Sequence, residues 1–340
     1  MFVIRPIEHR DLEILYQIAK ESGAGFTSLP TDADFLATKI RLSVDTLRRS
    51  DTVPGPETYL FVLEESESGE IAGTCGITAA VGLDMPFYHY HVGTLVHSSR
   101  ELGVYNEFRT LNLCNDYTGS SELCTLYIRP DFRQKGQGVL LSKSRFLFMA
   151  ENPARFDDRV IAEMRGFTDE QNTNPFWEGL GRHFFSMDYD RADYLTGAGN
   201  KVFIAELMPK HSIYIHLLPE EAQAIIGKVH PNTQPACEML KKEGFRFENY
   251  VDIFDAGPTL AARQGDIRAI TQSRRVKVSI DDTAPGEDAE RYLIANTLTT
   301  GFRCVMAQVR PRRNLLPLSR EQADCLGLSE GEDARLLKLG

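Results

Sequence analysis

The sequence has no C-x-x-C pair, no G-x-x-x-x-G-K-[ST] loop, no G-x-S-x-G elbow and no apolar run longer than a strand. The missing loop excludes an ATP-type phosphate site. The missing elbow leaves Ser120-Ser121 as a turn or cap rather than a nucleophile. Apolar stretches fall far short of the roughly 20 residues a membrane span needs. Cys75, Cys114, Cys124, Cys237, Cys304 and Cys325 are scattered, most of them in apolar surroundings where a free thiol acts as a small hydrophobe. A reduced, cytoplasmic protein is the expectation. Basic charge is short as well: 38 Lys and Arg against 48 Asp and Glu give a net charge of -10, which argues against general nucleic-acid binding. The opening Met1-Phe2-Val3-Ile4-Arg5-Pro6 lacks a signal-peptide layout and reads as a strand.

What is present suits a globular chain: 340 residues, 42% hydrophobic and 25% charged, predict one large core plus an appendage. Strands are expected over residues 3–6, 59–63, 71–81, 122–128, 160–165, 202–207 and 245–254. Helices are expected after an Asp11 cap, from Thr31 or Asp32 to about residue 47, and over 139–150, 175–184, 219–226 and 235–243, the last stopped by Gly244. Residues 82–121 read as an irregular insertion with some extended structure. After Gly257-Pro258 the pattern becomes short strands around 276–280, 292–296 and 304–309, then a short helix (321–326) and a final strand. The expected architecture is α+β, with a core over residues 1–258 carrying insertions and a small all-β subdomain over 259–340.

The sharpest signal runs from Leu123 to Gly138: a strand, Pro130, then Arg133-Gln134-Lys135-Gly136-Gln137-Gly138, then a helix. A helix N-terminus offers unsatisfied N–H groups and partial positive charge to a pyrophosphate. Gly136 and Gly138 let the backbone come close, while Arg133 and Lys135 neutralise charge. A plain strand–turn–helix link with convenient glycines is the bland reading. Placed after an antiparallel hairpin, R-x-x-G-x-G resembles the coenzyme A loop of the GNAT acyltransferase fold. That resemblance implies a strand at 122–128 splayed from its neighbour, with freed backbone groups holding the pantetheine arm. It also implies a helix ending in Gly-Phe, for which both residues 174–185 and 232–245 qualify. The core helix is then either split from its strand by an insertion or duplicated. Neither copy carries the tyrosine that many GNAT enzymes use as an acid.

Longer blocks narrow this. Thr27-Ser28-Leu29-Pro30, Val92-Gly93-Thr94-Leu95-Val96-His97, Thr118 to Leu126, Leu141-Ser142-Lys143-Ser144-Arg145-Phe146, Ala162-Glu163-Met164-Arg165-Gly166, Glu206 to His211 and Asp252-Ile253-Phe254-Asp255 are similar to the bacterial arginine N-succinyltransferases, over residues 1 to about 275. The resemblance implies succinyl transfer from succinyl-CoA to the α-amine of L-arginine. L-ornithine is a further acceptor in some bacteria, where similar α and β subunits assemble, so a homo- or hetero-oligomer is expected. It implies a proton-donating His230 in Val229-His230-Pro231 and a Leu126 that touches succinyl-CoA. The cofactor residues are then Leu126, Arg133, Gln134, Lys135, Gly136, Gln137 and Gly138. An idle paralogous subunit supporting an active partner is the rival reading.

The chemistry suits a histidine, which titrates near ~6.5 and can handle protons at neutral pH. Read alone, His230 is as fitting for a loop or cap. His89, His91 and His97 lack a thiol or carboxylate at ligand spacing, so no metal is expected. Cys124 reads as core. Glu122 and Glu163 could serve as base or as guanidinium holder, and solvation explains each nearly as well. Arg165 and Lys143 are candidate cations for the succinyl carboxylate.

Overall fold

Antiparallel pairing starts at the first residues: β1 (Phe2–Pro6) lies beside β2 (Thr58–Glu65), and β2 beside β3 (Ile71–Thr78). The computed structural model describes every residue except 24, 25, 51, 52, 134, 135, 170, 172, 198–201, 284, 285, 287 and 340. Between β1 and β2 run α1 (Leu12–Ser22) and α2 (Ala33–Arg48). Leu15, Ile18, Leu36 and Ile40, at helical spacing, close over Leu60, Val62 and Ile71 on one face of the sheet. Asp32 caps α2 by accepting the Phe35 N–H at 2.9 Å. Asp11, expected to cap α1, turns away from it. Its carboxylate grips Arg5 at 2.7 and 2.9 Å and takes the Glu8 N–H. A buried guanidinium needs that paired anion more than a helix end needs a cap.

The segment read as an irregular insertion is a long hairpin, β4 (His89–Ser99) and β5 (Val104–Cys114). Its tip exposes Leu95, Val96, Val104 and Tyr105, so no one-sided apolar alternation marks it in the sequence. β6 (Ser121–Ile128), α3 (Gln137–Glu151) and β7 (Arg159–Glu163) follow as expected. Residues 164–233 then wrap a second apolar cluster around Trp177, Phe176 and Phe254. A π-helical turn leads into α4 (Arg182–Phe185), followed by α5 (Tyr189–Gly197), α6 (Val202–Leu207), the two-residue β8 (Ile213–Tyr214) and α7 (Glu220–Ile225). The expected strand over 202–207 is therefore the helix α6. A six-residue apolar run carries no period long enough to decide between the two.

α8 (Gln234–Lys242) ends at Gly244, whose φ of +108° stops the helix as anticipated. β9 (Arg246–Val251), β10 (Pro258–Arg263) and α9 (Arg268–Gln272) return to the main core. β11 (Arg274–Ile280), β12 (Glu290–Asn296), β13 (Cys304–Val309), β14 (Leu315–Leu318), α10 (Arg320–Leu326) and β15 (Asp333–Lys338) complete the chain. Among the described residues, all strands join one mixed 15-stranded sheet in the order β14-β11-β15-β12-β13-β1-β2-β3-β6-β7-β10-β9-β4-β5-β8. The C-terminal strands enter it where Val3 faces Val305.

α3 is buried along most of its length and anchors the face opposite α1 and α2, packing Leu141, Phe146 and Phe148 against Phe61, Cys75 and Val160. Lys143, considered as a succinyl-binding cation, is instead spent inside this core. Its Nζ lies 2.6 Å from Oε1 of the buried Glu243, which also takes Arg268 at 3.2 Å and the Ala269 N–H at 2.7 Å. That carboxylate ties α3, the end of α8 and α9 together. Lys143→Met should lower unfolding free energy by about 3 kcal/mol, because breaking a buried pair strands a charge. A denaturant midpoint unmoved by the substitution would contradict this role.

Candidate functional site

β6 and β7 run parallel, yet they pair only at Ser121↔Val160 and Glu122↔Ile161 among the described residues. Further on, β6 stays with β3 through Gly73↔Ile128, while β7 stays with β10 through Thr259↔Glu163. A cleft therefore opens between residues 123–128 and 162–166. Inside it β6 carries a bulge: Thr74 faces Tyr127 and Gly76 faces Cys124, so Thr125 and Leu126 together oppose Cys75. Thr125 sits at φ +57°, a left-handed conformation that is rare for a β-branched residue, and its buried Oγ1 has no hydrogen-bond partner. Strain of this kind, at about 1–3 kcal/mol, persists where the surroundings enforce it.

Arg145 of α3 enforces it from below. Fully buried, it donates from Nη1 to the carbonyls of Cys124 (3.4 Å) and Gly76 (3.5 Å), and from Nε to Ser142 (3.2 Å). Burial pulls its pKa below the usual arginine range. Sequence reasoning missed both the bulge and this brace. Cys124 is core, its thiol pushed up by burial, which keeps it protonated and inert. Ser120 and Ser121 are structural too: Ser120 Oγ accepts from Arg159 Nε, and Ser121 Oγ donates to the Ala79 carbonyl.

Gly136 caps α3 at φ +109°, and a Cβ there would stand 2.5 Å from Met306 Cε. The positive φ is what calls for glycine, since the end of the flexible Met306 side chain can swing aside. Leu140 N donates to Gly136 O, which places residues 137–139 in the first turn of α3, at the helix mouth. Gly138 borders β6, 3.6 Å from Ile128 Cδ1 by its ideal Cβ. The exposed Arg133 donates from Nε to the Ile128 carbonyl at 3.2 Å and lies over the Tyr127 ring. Thus Arg133, Gly136, Gln137 and Gly138 gather where β6, with Leu126, runs out. Gln134 and Lys135 lie outside the described residues.

His230 belongs to the other wall. Its N–H donates to the Arg165 carbonyl at 2.8 Å, and Val229 bridges Gly166, so residues 229–230 run beside the continuation of β7. Nδ1 accepts the Asn232 N–H at 3.1 Å. The neutral ring therefore keeps its proton on Nε2. Partial burial, then the charge of Arg165, holds the imidazole below its ordinary pKa. At neutral pH His230 is an uncharged Nε2–H donor.

Carboxylates gather on the same wall. Glu163 Oε1 lies 2.9 Å from Nε2 of the buried His89. Asp252 Oδ1 accepts the N–H groups of Phe254 and Asp255, and Asp255 accepts those of Gly166 and Gly257. Burial, then the charges of Asp255 and Glu163, raise the Asp252 pKa, and burial raises that of Asp255. The sequence signalled these aspartates only as one block of a resemblance, with no chemistry attached.

Two family models cover nearly the whole chain: arginine N-succinyltransferase beta subunit over residues 2–269, and its C-terminal domain over residues 274–338. The arginine N-succinyltransferases of Salmonella schwarzengrund (strain CVM19633) and Salmonella agona (strain SL483) are each 52% identical over 340 residues, covering 100% of this chain and 98% of theirs. The solved structure of arginine/ornithine succinyltransferase subunit AI from Pseudomonas aeruginosa superposes with a TM-score of 0.92 at 40% identity, over 100% of this chain and 99% of that one.

Proposed function

Because the chain belongs to the arginine N-succinyltransferase family, we infer that it transfers succinyl from succinyl-CoA to the α-amine of L-arginine. The products are N2-succinylarginine and coenzyme A, at the entry to arginine breakdown. The observation that supports a GNAT-like mechanism is the β6–β7 cleft, with the Thr125-Leu126 bulge on one strand and the N-terminus of α3 at its mouth. In this reading the helix N-terminus, Gly136, Gln137 and Gly138, with Arg133, Gln134 and Lys135, takes the coenzyme A pyrophosphate. Leu126 and the freed backbone of β6 line the pantetheine and face the thioester carbonyl.

An α-amine titrates near about 8, so most acceptor arrives protonated and must shed one proton before attack. The amine nitrogen then bonds to the thioester carbon, the C–S bond breaks and sulfur leaves. Sulfur takes up one proton as the new amide nitrogen loses its own. His230 is the relay assigned to the departing sulfur: as its Nε2–H protonates sulfur, the ring regains the proton that the amide nitrogen loses and ends neutral. No covalent acyl-enzyme is needed. We read the chain as a cytoplasmic enzyme that assembles into an oligomer, with ornithine as a second acceptor to test.

Arg133→Ala should raise the KM for succinyl-CoA by roughly 10-fold or more, since a charge-assisted phosphate contact contributes about 1.5–3 kcal/mol. Gly136→Val should do the same, because a β-branched residue resists the φ of +109° that shapes the helix mouth. Calorimetry showing unchanged succinyl-CoA affinity in both variants would remove the phosphate-loop assignment.

A further inference from the structure

The register of β7 separates two faces. Val160 and Ala162 point into the core around α3, while Ile161 packs on the other side with Ala261, Tyr117 and Tyr250. Glu163, two residues beyond Ile161, shares that second face, at the level where the cleft has opened. It stands on the far side of the sheet from α3, whose N-terminus receives the acyl donor in the reading above.

The polar groups around Glu163 are arranged for something the chain itself does not supply. Thr259 is its direct cross-strand partner on the same face, is fully buried, and its Oγ1 makes no hydrogen bond. The ring of His89, also fully buried, approaches Glu163 to 2.9 Å but off the bonding direction, and neither of its nitrogens is hydrogen-bonded. Leaving buried donors and acceptors unmet is costly unless a ligand meets them. Asp252 adds a second carboxylate, whose Oδ1 accepts two backbone N–H groups of the turn. Burial, then repulsion from Asp255 and Glu163, pushes it toward the protonated form, a cost that an entering cation relieves. Asp255, with each oxygen already taken by a backbone N–H, is the turn's scaffold.

We propose that Glu163 and Asp252, with Thr259 Oγ1 beside them and His89 behind, form the cation-binding half of the acceptor site and hold the acceptor's guanidinium. A planar fork of five donors matches two carboxylates and a hydroxyl acceptor better than a point charge does. Acyl donor and amino acid then enter from opposite faces and meet in the cleft. The proposal rests on the reading of the chain as an arginine succinyltransferase.

L-citrulline, whose neutral urea has nearly the shape of guanidinium, is the probe. The wild-type protein should prefer arginine over citrulline by about 100-fold or more in kcat/KM. Glu163→Gln should shrink that preference at least 10-fold, mainly through the KM for arginine, and Asp252→Asn should shrink it in the same direction. Equal losses on both acceptors in the two variants would mark a proton-transfer or folding role and overturn the proposal. Should either variant fail to fold, calorimetry on the wild-type protein decides: equal affinities for arginine and citrulline overturn it. Tight arginine binding without coenzyme A release from succinyl-CoA would contradict the transfer reading and leave the guanidinium site standing.

Discussion

His230→Gln should lower kcat by about 10²–10⁴-fold, the range typical of a positioned proton donor. The KM for succinyl-CoA should stay within roughly a factor of three, because the donor acts only as the C–S bond breaks. The pH profile adds a signed test. His230 is held below its ordinary pKa by partial burial and by Arg165, so the working neutral ring persists to lower pH than a free imidazole would. Wild-type kcat should hold through pH 6.5 and fall only as pH drops through the depressed value, and that limb should vanish in the variant. A histidine serving only to accept the Asn232 N–H would behave otherwise: the variant would melt earlier and turn over normally. A folded His230→Gln protein with near-normal kcat at pH 7 would end the assignment.

The second large effect concerns the acyl group. Succinyl carries a distal carboxylate that acetyl lacks, and a site built to pair it leaves its cation unmatched when acetyl-CoA binds. kcat/KM for succinyl-CoA should exceed that for acetyl-CoA by about 10²–10⁴-fold, as for other sites that lose a buried polar partner. With Lys143 tied to Glu243, Arg165 is the cation to examine, since it adjoins His230 through its own carbonyl. Arg165→Met should erode the preference and let the His230 pKa rise. Comparable kcat/KM for the two thioesters in the wild-type protein would refute succinyl selectivity while leaving acyl transfer from coenzyme A in place.

Strands and helices whose signals are local were legible. The β2–β3 hairpin, α2 with its Asp32 cap, α3 behind its glycines and α8 with Gly244 all follow from capping and periodicity. The helix mouth of the site was legible for the same reason. Pairing between distant segments was not. Nothing in residues 122–128 announces that Thr125 takes a left-handed conformation, because the strain is set by Arg145 and β3 rather than by its neighbours in sequence. The Glu163, Asp252 and Thr259 group comes from three separate segments brought together only by the β7–β10 register and the turn after β9. The split of the core also needed the structure. α8 packs beside α3, and among the described residues of 164–233 the one strand in the sheet is β8, so this stretch separates β7 from α8 in sequence.

The central claim is settled most directly by mixing the purified chain with succinyl-CoA and L-arginine, following thiol release and weighing the product. Arginine-dependent release of coenzyme A, with a product one succinyl group heavier than arginine and acylated at the α-nitrogen, is the predicted result. Thiol release that does not depend on arginine, or succinylation at the guanidinium instead of the α-amine, would contradict it.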